Sequence, residues 1–65
     1  MKVKTLLKTL NNVDYVLMAE SGWTREEGYV DQMGYWEGDS KYEDWKVVKI
    51  TTVQNCDMLF ITIKE

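Results

Sequence analysis

Residues 45–64 read WKVVKITTV-QNCD-MLFITIK, and this stretch decides the fold. Two runs rich in β-branched and aromatic residues flank four turn-prone residues at 54–57. Such runs favour pleated, half-buried strands, and the turn-prone interruption favours a tight reversal of the chain. The stretch therefore predicts an antiparallel hairpin that forms the spine of the fold.

Strict alternation along this hairpin predicts two unlike faces. The first face is aliphatic and consists of Val48, Ile50, Leu59, Ile61 and Ile63. The second face consists of Trp45, Val47, Thr51, Val53, Met58, Phe60 and Thr62, with Lys49 and Lys64 among them. One helix cannot cover both faces, so the second is expected to be covered by the middle of the chain, exposed, or used against another molecule. Four of its residues form a candidate sheet-face interface: Trp45, Val47, Met58 and Phe60.

The N-terminal part of the chain predicts one helix and one strand. Val3, Leu6, Leu7 and Leu10 recur at three- and four-residue spacing, which indicates an amphipathic helix over residues 3–11. Its leucine stripe suits the aliphatic face of the hairpin. Residues 13–19 are almost continuously apolar and predict a strand that is buried on both faces at the centre of the sheet.

The middle segment, residues 20–44, holds all four glycines and five aromatic residues. It is too long for a structureless loop in a compact domain. We expect a second strand over residues 28–36 and a short helical turn over residues 39–44 that Asp39 or Ser40 caps. The predicted fold class is α+β, a single domain over residues 1–65. One N-terminal helix packs on a small antiparallel sheet of three or four strands, in α-β-β-β-β order, and the chain ends in the hairpin.

Charge is concentrated in the same middle segment. Its eight acids against Arg25 and Lys41 give a net charge of −6, whereas the rest of the chain carries +3, which together give the net −3 of the whole. An asymmetry of this kind points to interaction surfaces, and an acidic segment repels nucleic acid. We therefore expect a protein partner and no direct binding of nucleic acid.

Several classes of chemistry find no support in the sequence. There is no histidine, and the single Cys56 has no second cysteine to pair with. No phosphate-binding glycine pattern, calcium loop or apolar run of membrane-spanning length occurs. A domain of this size also has little stability to spare for a desolvated catalytic pocket. We expect a cytoplasmic protein that is not an enzyme, has no catalytic residues, and uses no metal or cofactor.

The candidate partner-binding residues are the acids and aromatics of the middle segment. They are Trp23, Glu26, Glu27, Tyr29, Asp31, Tyr35, Trp36, Glu37, Asp39, Tyr42, Glu43 and Asp44. The aromatics fit two interpretations, because they are large enough to be the core of this segment and are also the residues that anchor protein interfaces. An acidic surface with aromatic anchors suits a basic partner, such as a nucleic-acid-binding protein, by mimicking phosphates.

Three stretches carry a resemblance to known proteins: MKVKTLL at 1–7, YEDWKVVKI at 42–50 and LFITI at 59–63. They resemble a loose group of short proteins carried by phages, plasmids and integrated elements of low-GC Gram-positive bacteria. The resemblance implies an α-β-β-β-β order and a mobile-element setting. It supplies no catalytic or binding residues.

Two functional hypotheses follow. The first is a non-enzymatic protein-binding module of a mobile element, an inhibitor of a host defence nuclease of the anti-CRISPR or anti-restriction type. The second is a homodimeric structural or assembly protein that pairs through the open sheet face or an edge strand.

Overall fold

The computed structural model describes residues 1–22, 25–37, 40–52 and 57–65. The elements are a helix, α1 (Val3–Leu7), and five strands, β1 (Val13–Ala19), β2 (Arg25–Val30), β3 (Trp36–Glu37), β4 (Lys46–Thr52) and β5 (Met58–Lys64), with a 3-10 helix at Ser40–Tyr42. The strands form one sheet in the order β3-β2-β1-β5-β4. The α+β class, the N-terminal helix and the C-terminal hairpin are confirmed.

The sheet is mixed, because β1 runs parallel to β5 while its other neighbour, β2, is antiparallel. The two outer pairings, β2 with β3 and β4 with β5, are also antiparallel. The hairpin therefore docks onto β1 through its second strand and leaves β4 at the edge. Val16 and Leu17 are both buried although they point to opposite faces, which confirms the prediction of a central strand.

The helix has the predicted apolar stripe but ends earlier than residue 11. Val3, Leu6 and Leu7 are buried, and Leu10 still packs against the core beyond the end of α1. The amides of Thr9 and Leu10 donate to carbonyls three residues back, at 2.9 and 3.2 Å, so the last turn tightens. The Thr9 hydroxyl also donates to the Leu6 carbonyl at 2.7 Å, which competes with continuation of the helix.

The predicted strand over residues 28–36 is wrong, because a turn after Val30 divides it into β2 and β3. Asp31 makes this turn: its carboxylate accepts the backbone N–H of Met33 at 2.8 Å and that of Tyr35 at 3.0 Å. Gly34 takes a φ of +88°, which residues with a side chain rarely adopt. The predicted helical turn corresponds to the 3-10 helix at Ser40–Tyr42, and the proposed cap Asp39 lies outside the described residues.

The predicted faces of β4 are corrected by a bulge. Its register against β5 shifts just after Val47, where Val48 is accommodated as an extra residue. Val47 therefore packs against the core, and Val48, expected in the core, is 44% exposed. Ile50 lies on the predicted side, opposite Ile61, but it is also 44% exposed and does not join the core.

Candidate functional site

Three of the candidate binding aromatics belong to the folded core. Tyr42 is only 4% exposed and is part of the buried cluster that α1 forms with the sheet. Trp36 and Trp45 pack against that cluster, and the rings of Trp45 and Tyr42 meet edge to face with 4.8 Å between their centroids. The core interpretation therefore holds for these three residues, and Trp45 is not on the open face where alternation had placed it.

The candidate acids Asp44 and Asp31 are engaged in contacts within the fold. The carboxylate of Asp44 lies 3.0 Å from the Lys4 ammonium and 3.7 Å from that of Lys2. The hydrogen bond and charge of Lys4, followed by the charge of Lys2, lower the pKa of Asp44. Asp31 is occupied with the backbone amides of its own turn. These two acids therefore support the fold locally.

The remaining candidates do not share one surface. Glu26 lies opposite Leu17 on the side of the sheet that α1 covers, and Glu27 lies opposite Val16 on the other side. Tyr29 is exposed, and Tyr35 is 70% exposed in the turn after β2. The backbone carbonyl of Glu43 accepts the Lys4 amide at 3.0 Å. Trp23 and Asp39 lie outside the described residues, as does the side chain of Glu37.

A different surface emerges from the sheet register, and we call it the open face: the side of the sheet that points away from α1. Its described side chains are Asp14, Val16 and Met18 of β1, Arg25, Glu27 and Tyr29 of β2, Lys46, Lys49 and Thr51 of β4, and Met58, Phe60, Thr62 and Lys64 of β5. The core cluster, which includes residues of α1 and of the 3-10 helix, lies on the opposite side. No described helix or strand packs over the open face.

The centre of the open face is an apolar strip across the two parallel strands. Val16 and Met18 come from β1, and Met58 and Phe60 come from β5. Val16 has 0% of its surface exposed without belonging to the core cluster. Met58 and Phe60 are half-buried, and Met18 is exposed. Of the four residues predicted for a sheet-face interface, Met58 and Phe60 lie here, whereas Trp45 and Val47 pack on the core side.

Charge is divided between the two halves of the open face. The half formed by β1 and β2 carries both of its acids, Asp14 and Glu27, and Arg25, whose guanidinium lies 3.5 Å from the Glu27 carboxylate. On the half formed by β4 and β5 the described charged residues are all lysines: Lys46, Lys49 and Lys64. Among the described residues none of these three lysines forms an ion pair. The acids of the open face thus lie on β1 and β2, together with Arg25, and its lysines lie on β4 and β5.

The β1 residues of the open face, Asp14, Val16 and Met18, escaped the sequence prediction, whereas Glu27 and Tyr29 of β2 were among its candidates. Alternation of Asp14, Val16 and Met18 along β1 is the signal that would have found them. It is obscured because Tyr15, Leu17 and Ala19, between them, are also apolar. A strand whose residues are buried on both faces is a continuous apolar run in the sequence. Such a run does not reveal which side of the strand lacks a covering layer.

The chemistry available elsewhere in the described residues is limited. No polar or charged side chain is buried there, and no three potential ligands come together to hold a metal ion. An open groove of about 380 Å³ lies beside Trp45 at the ends of β1 and β5, lined by Ala19, Glu20, Ser21, Ile63, Lys64 and Glu65. That the protein is not an enzyme stays a prediction.

The chain matches no family model, no curated protein and no solved structure. None of the described helices has the length and apolar character needed to cross a membrane.

Proposed function

We propose that this protein is a non-enzymatic protein-binding module and that its binding surface is the open face of the sheet. The observation that carries the proposal is the apolar strip in which Met18, Met58 and Phe60 surround the buried Val16, and over which no described helix or strand packs. Exposed apolar patches with polar surroundings mark interaction sites in soluble domains. Charged residues on both sides of the strip supply the polar rim that such interfaces have.

The two edges of the sheet offer little to a partner that would add a strand. The start of the edge strand β4 is already paired, because the Val47 amide donates to the Met1 carbonyl at 2.8 Å and the Val3 amide donates to the Trp45 carbonyl at 2.9 Å. The bulge after Val47 interrupts the remainder of that edge. At the other edge, β3 has only two residues. Binding through the open face is therefore favoured over addition of a strand.

Photocrosslinking in the native cell tests the proposal. A benzophenone amino acid replaces Thr62, in the middle of the open face, and in a matched variant it replaces Thr5, an exposed threonine of α1. We expect protein adducts from position 62 and few from position 5. Position 51, near the rim of the face, provides a second probe in case the bulky group at 62 blocks binding. The proposal would be overturned if positions 51 and 62 both gave no protein adducts, or no more of them than position 5.

Inhibition of a host defence nuclease, in the setting of a mobile element, stays a prediction that none of these findings tests. It requires acids and aromatics on a common surface, and Tyr42, Trp36 and Asp44 are engaged within the fold. A nuclease titrated with purified protein provides the test. Unchanged DNA binding and cleavage at micromolar protein would contradict it.

A further inference from the structure

We infer that the partner of the open face is a protein whose contact surface combines an acidic patch with an apolar side chain. It binds where the apolar strip meets three lysines of β4 and β5, which we call the lysine cluster: Lys46, Lys49 and Lys64. The inference rests on the proposed function, because it states the chemistry of the partner of that same surface. Complementary charge across an interface steers association and selects the partner.

The strand register gathers the lysine cluster at one end of the open face, where β5 finishes. Lys46 lies directly opposite Lys64, and Lys49 lies opposite Thr62, two residues before Lys64. A strand spacing of about 4.8 Å and a rise of about 3.3 Å per residue bring the three lysine Cα atoms within about 10 Å of one another. All three lysines are exposed. Directly opposed like charges destabilise a sheet, so carboxylates of a partner would relieve this repulsion.

The acids of the open face lie too far from the lysine cluster to neutralise it. Asp14 lies beside Met58, where β5 begins, about 20 Å along that strand from Lys64. Glu27 lies on β2, three strand positions from β4, and its carboxylate is 3.5 Å from the Arg25 guanidinium. Screening at physiological ionic strength acts over about 8 Å, which is shorter than the separation of either acid from the cluster.

One further acid borders the cluster. Glu20 follows β1, and its amide donates to the Ile63 carbonyl at 2.7 Å, which places it beside Lys64. Among the described residues it forms no ion pair with that lysine. A single carboxylate would in any case balance only one of the three charges, so the cluster keeps a net positive charge.

Thr62 joins the lysine cluster to the apolar strip. Across the sheet it lies between Met18 of β1 and Lys49 of β4. Along its own strand, its neighbours on the same side are Phe60 and Lys64. Met18 is 37% exposed and Phe60 is half-buried, so both can contact a partner. The strand geometry therefore requires a partner that places an apolar side chain about 10 Å from its acidic groups.

A single-stranded nucleic acid fits this face less well than a protein does. An extended chain of phosphates would continue past the cluster onto a face that also carries Asp14 and Glu27, and the whole protein has a net charge of −3. Such ligands also stack successive bases on aromatic side chains along a positive groove. Near the cluster the described open face offers only Phe60, because Tyr29 lies beside Asp14. A compact acidic patch on a protein avoids both conflicts.

Charge reversal combined with crosslinking in the native cell is the first test. The benzophenone group stays at position 62, and Lys49→Glu is compared with Lys8→Glu, an equal change of charge at an exposed position just after α1. We expect Lys49→Glu to lower the yield of the protein adduct by about fivefold, and we expect Lys49→Arg and Lys8→Glu to preserve it. Circular dichroism of each variant first establishes that it is folded.

Selection of peptides on the purified chain measures the preferred chemistry directly. Short random peptides displayed on phage are selected on the wild type, and those that also bind Lys49→Glu are removed. We expect the enriched peptides to combine acidic residues with an aromatic or aliphatic one and to bind less tightly as salt is added. Enrichment of peptides without acids, or of no peptide, would overturn the inference.

The outcomes separate the inference from the proposed function. Adducts at position 62 that persist in Lys49→Glu, or that join two copies of this chain, would overturn the acidic partner and leave the open face as a protein-binding surface. Binding of oligothymidylate to the purified chain that Lys49→Glu abolishes would make a nucleic acid the occupant and overturn the inference. Absence of protein adducts at both positions 51 and 62 would overturn both proposals.

Discussion

Val47 lies directly opposite Ile63 on the side of the sheet that α1 covers, although alternation counted back from Ile50 would put it on the open face. The bulge at Val48 explains this placement, because one extra residue in β4 shifts the alternation of its side chains by one position. Val47 and Ile50 consequently point to the same side, three residues apart. The composition of both faces of β4 therefore depends on this one irregularity.

Replacement of Val47 by alanine should destabilise the fold more than the same change at Val48. Val47 packs against the core, so losing its methyl groups should lower the free energy of unfolding by about 1–1.5 kcal/mol. Val48 is exposed, and Val48→Ala should stay within about 0.5 kcal/mol of the wild type. Urea unfolding of the two matched variants measures the difference. A larger effect at Val48 would show that β4 pairs without the bulge.

The elements that the sequence predicts well are those whose apolar pattern is regular and local. The stripe of Val3, Leu6 and Leu7 and the run that became β1 identify their elements because burial sets their periodicity directly. The parallel pairing of β1 with β5 has no such local signature. It follows from which strand of the hairpin meets β1, and that depends on packing between distant parts of the chain.

The candidate site was predicted in part, for the same physical reason. Met58 and Phe60 fall on the open face because β5 alternates regularly. Val47 was misplaced because a bulge changes the side of every residue before it and leaves no mark in the pattern. Tyr42 and Trp36 were open to two interpretations, since composition alone does not distinguish an interface anchor from a core residue.

The turn between β2 and β3 should depend on the carboxylate of Asp31. It accepts two backbone N–H groups, and Asp31→Ala should lower the free energy of unfolding by about 1–2 kcal/mol. Asp31→Asn retains a side-chain acceptor and should recover most of that loss. Asp57→Ala is the matched control at another exposed aspartate. Equal stability of the alanine and asparagine variants would exclude the side-chain bonds as the cause.

Tyr42 should be critical for folding, in contrast to the equally aromatic Tyr35. Removing a buried ring costs about 3–5 kcal/mol, which is comparable to the whole stability expected of so small a domain, about 3–5 kcal/mol. Tyr42→Ala should therefore be largely unfolded at room temperature, and Tyr42→Phe should stay folded. Tyr35→Ala should be near wild type, because Tyr35 is 70% exposed. Circular dichroism in thermal melts distinguishes these outcomes.

Asp44 should contribute to stability only while it is ionised. Its pKa is lowered in the folded state by the hydrogen bond and charge of Lys4 and by the charge of Lys2. The contribution is therefore present above the unfolded-state pKa, about 3.9, and is lost as the pH falls through the lower folded-state pKa. In Asp44→Asn the free energy of unfolding should fall less at acidic pH than it does in the wild type. Added salt should reduce this difference between the two proteins. An unchanged acid limb would show that the ion pairs contribute nothing.

Tyr15 should make the fold sensitive to alkali. Burial raises the pKa of its hydroxyl, and the charge of Glu43 raises it further. Because the neutral form is favoured in the folded state, the contribution is complete below the unfolded-state pKa, about 10, and is lost as the pH rises through the higher folded-state pKa. Tyr15→Phe should therefore lose less stability than the wild type between neutral and strongly alkaline pH. Tyr29→Phe, a matched change at an exposed tyrosine, should leave the alkaline limb as it is in urea unfolding across this range. If both variants behave alike, general deprotonation of the lysines, and not ionisation of one buried phenol, causes the alkaline loss.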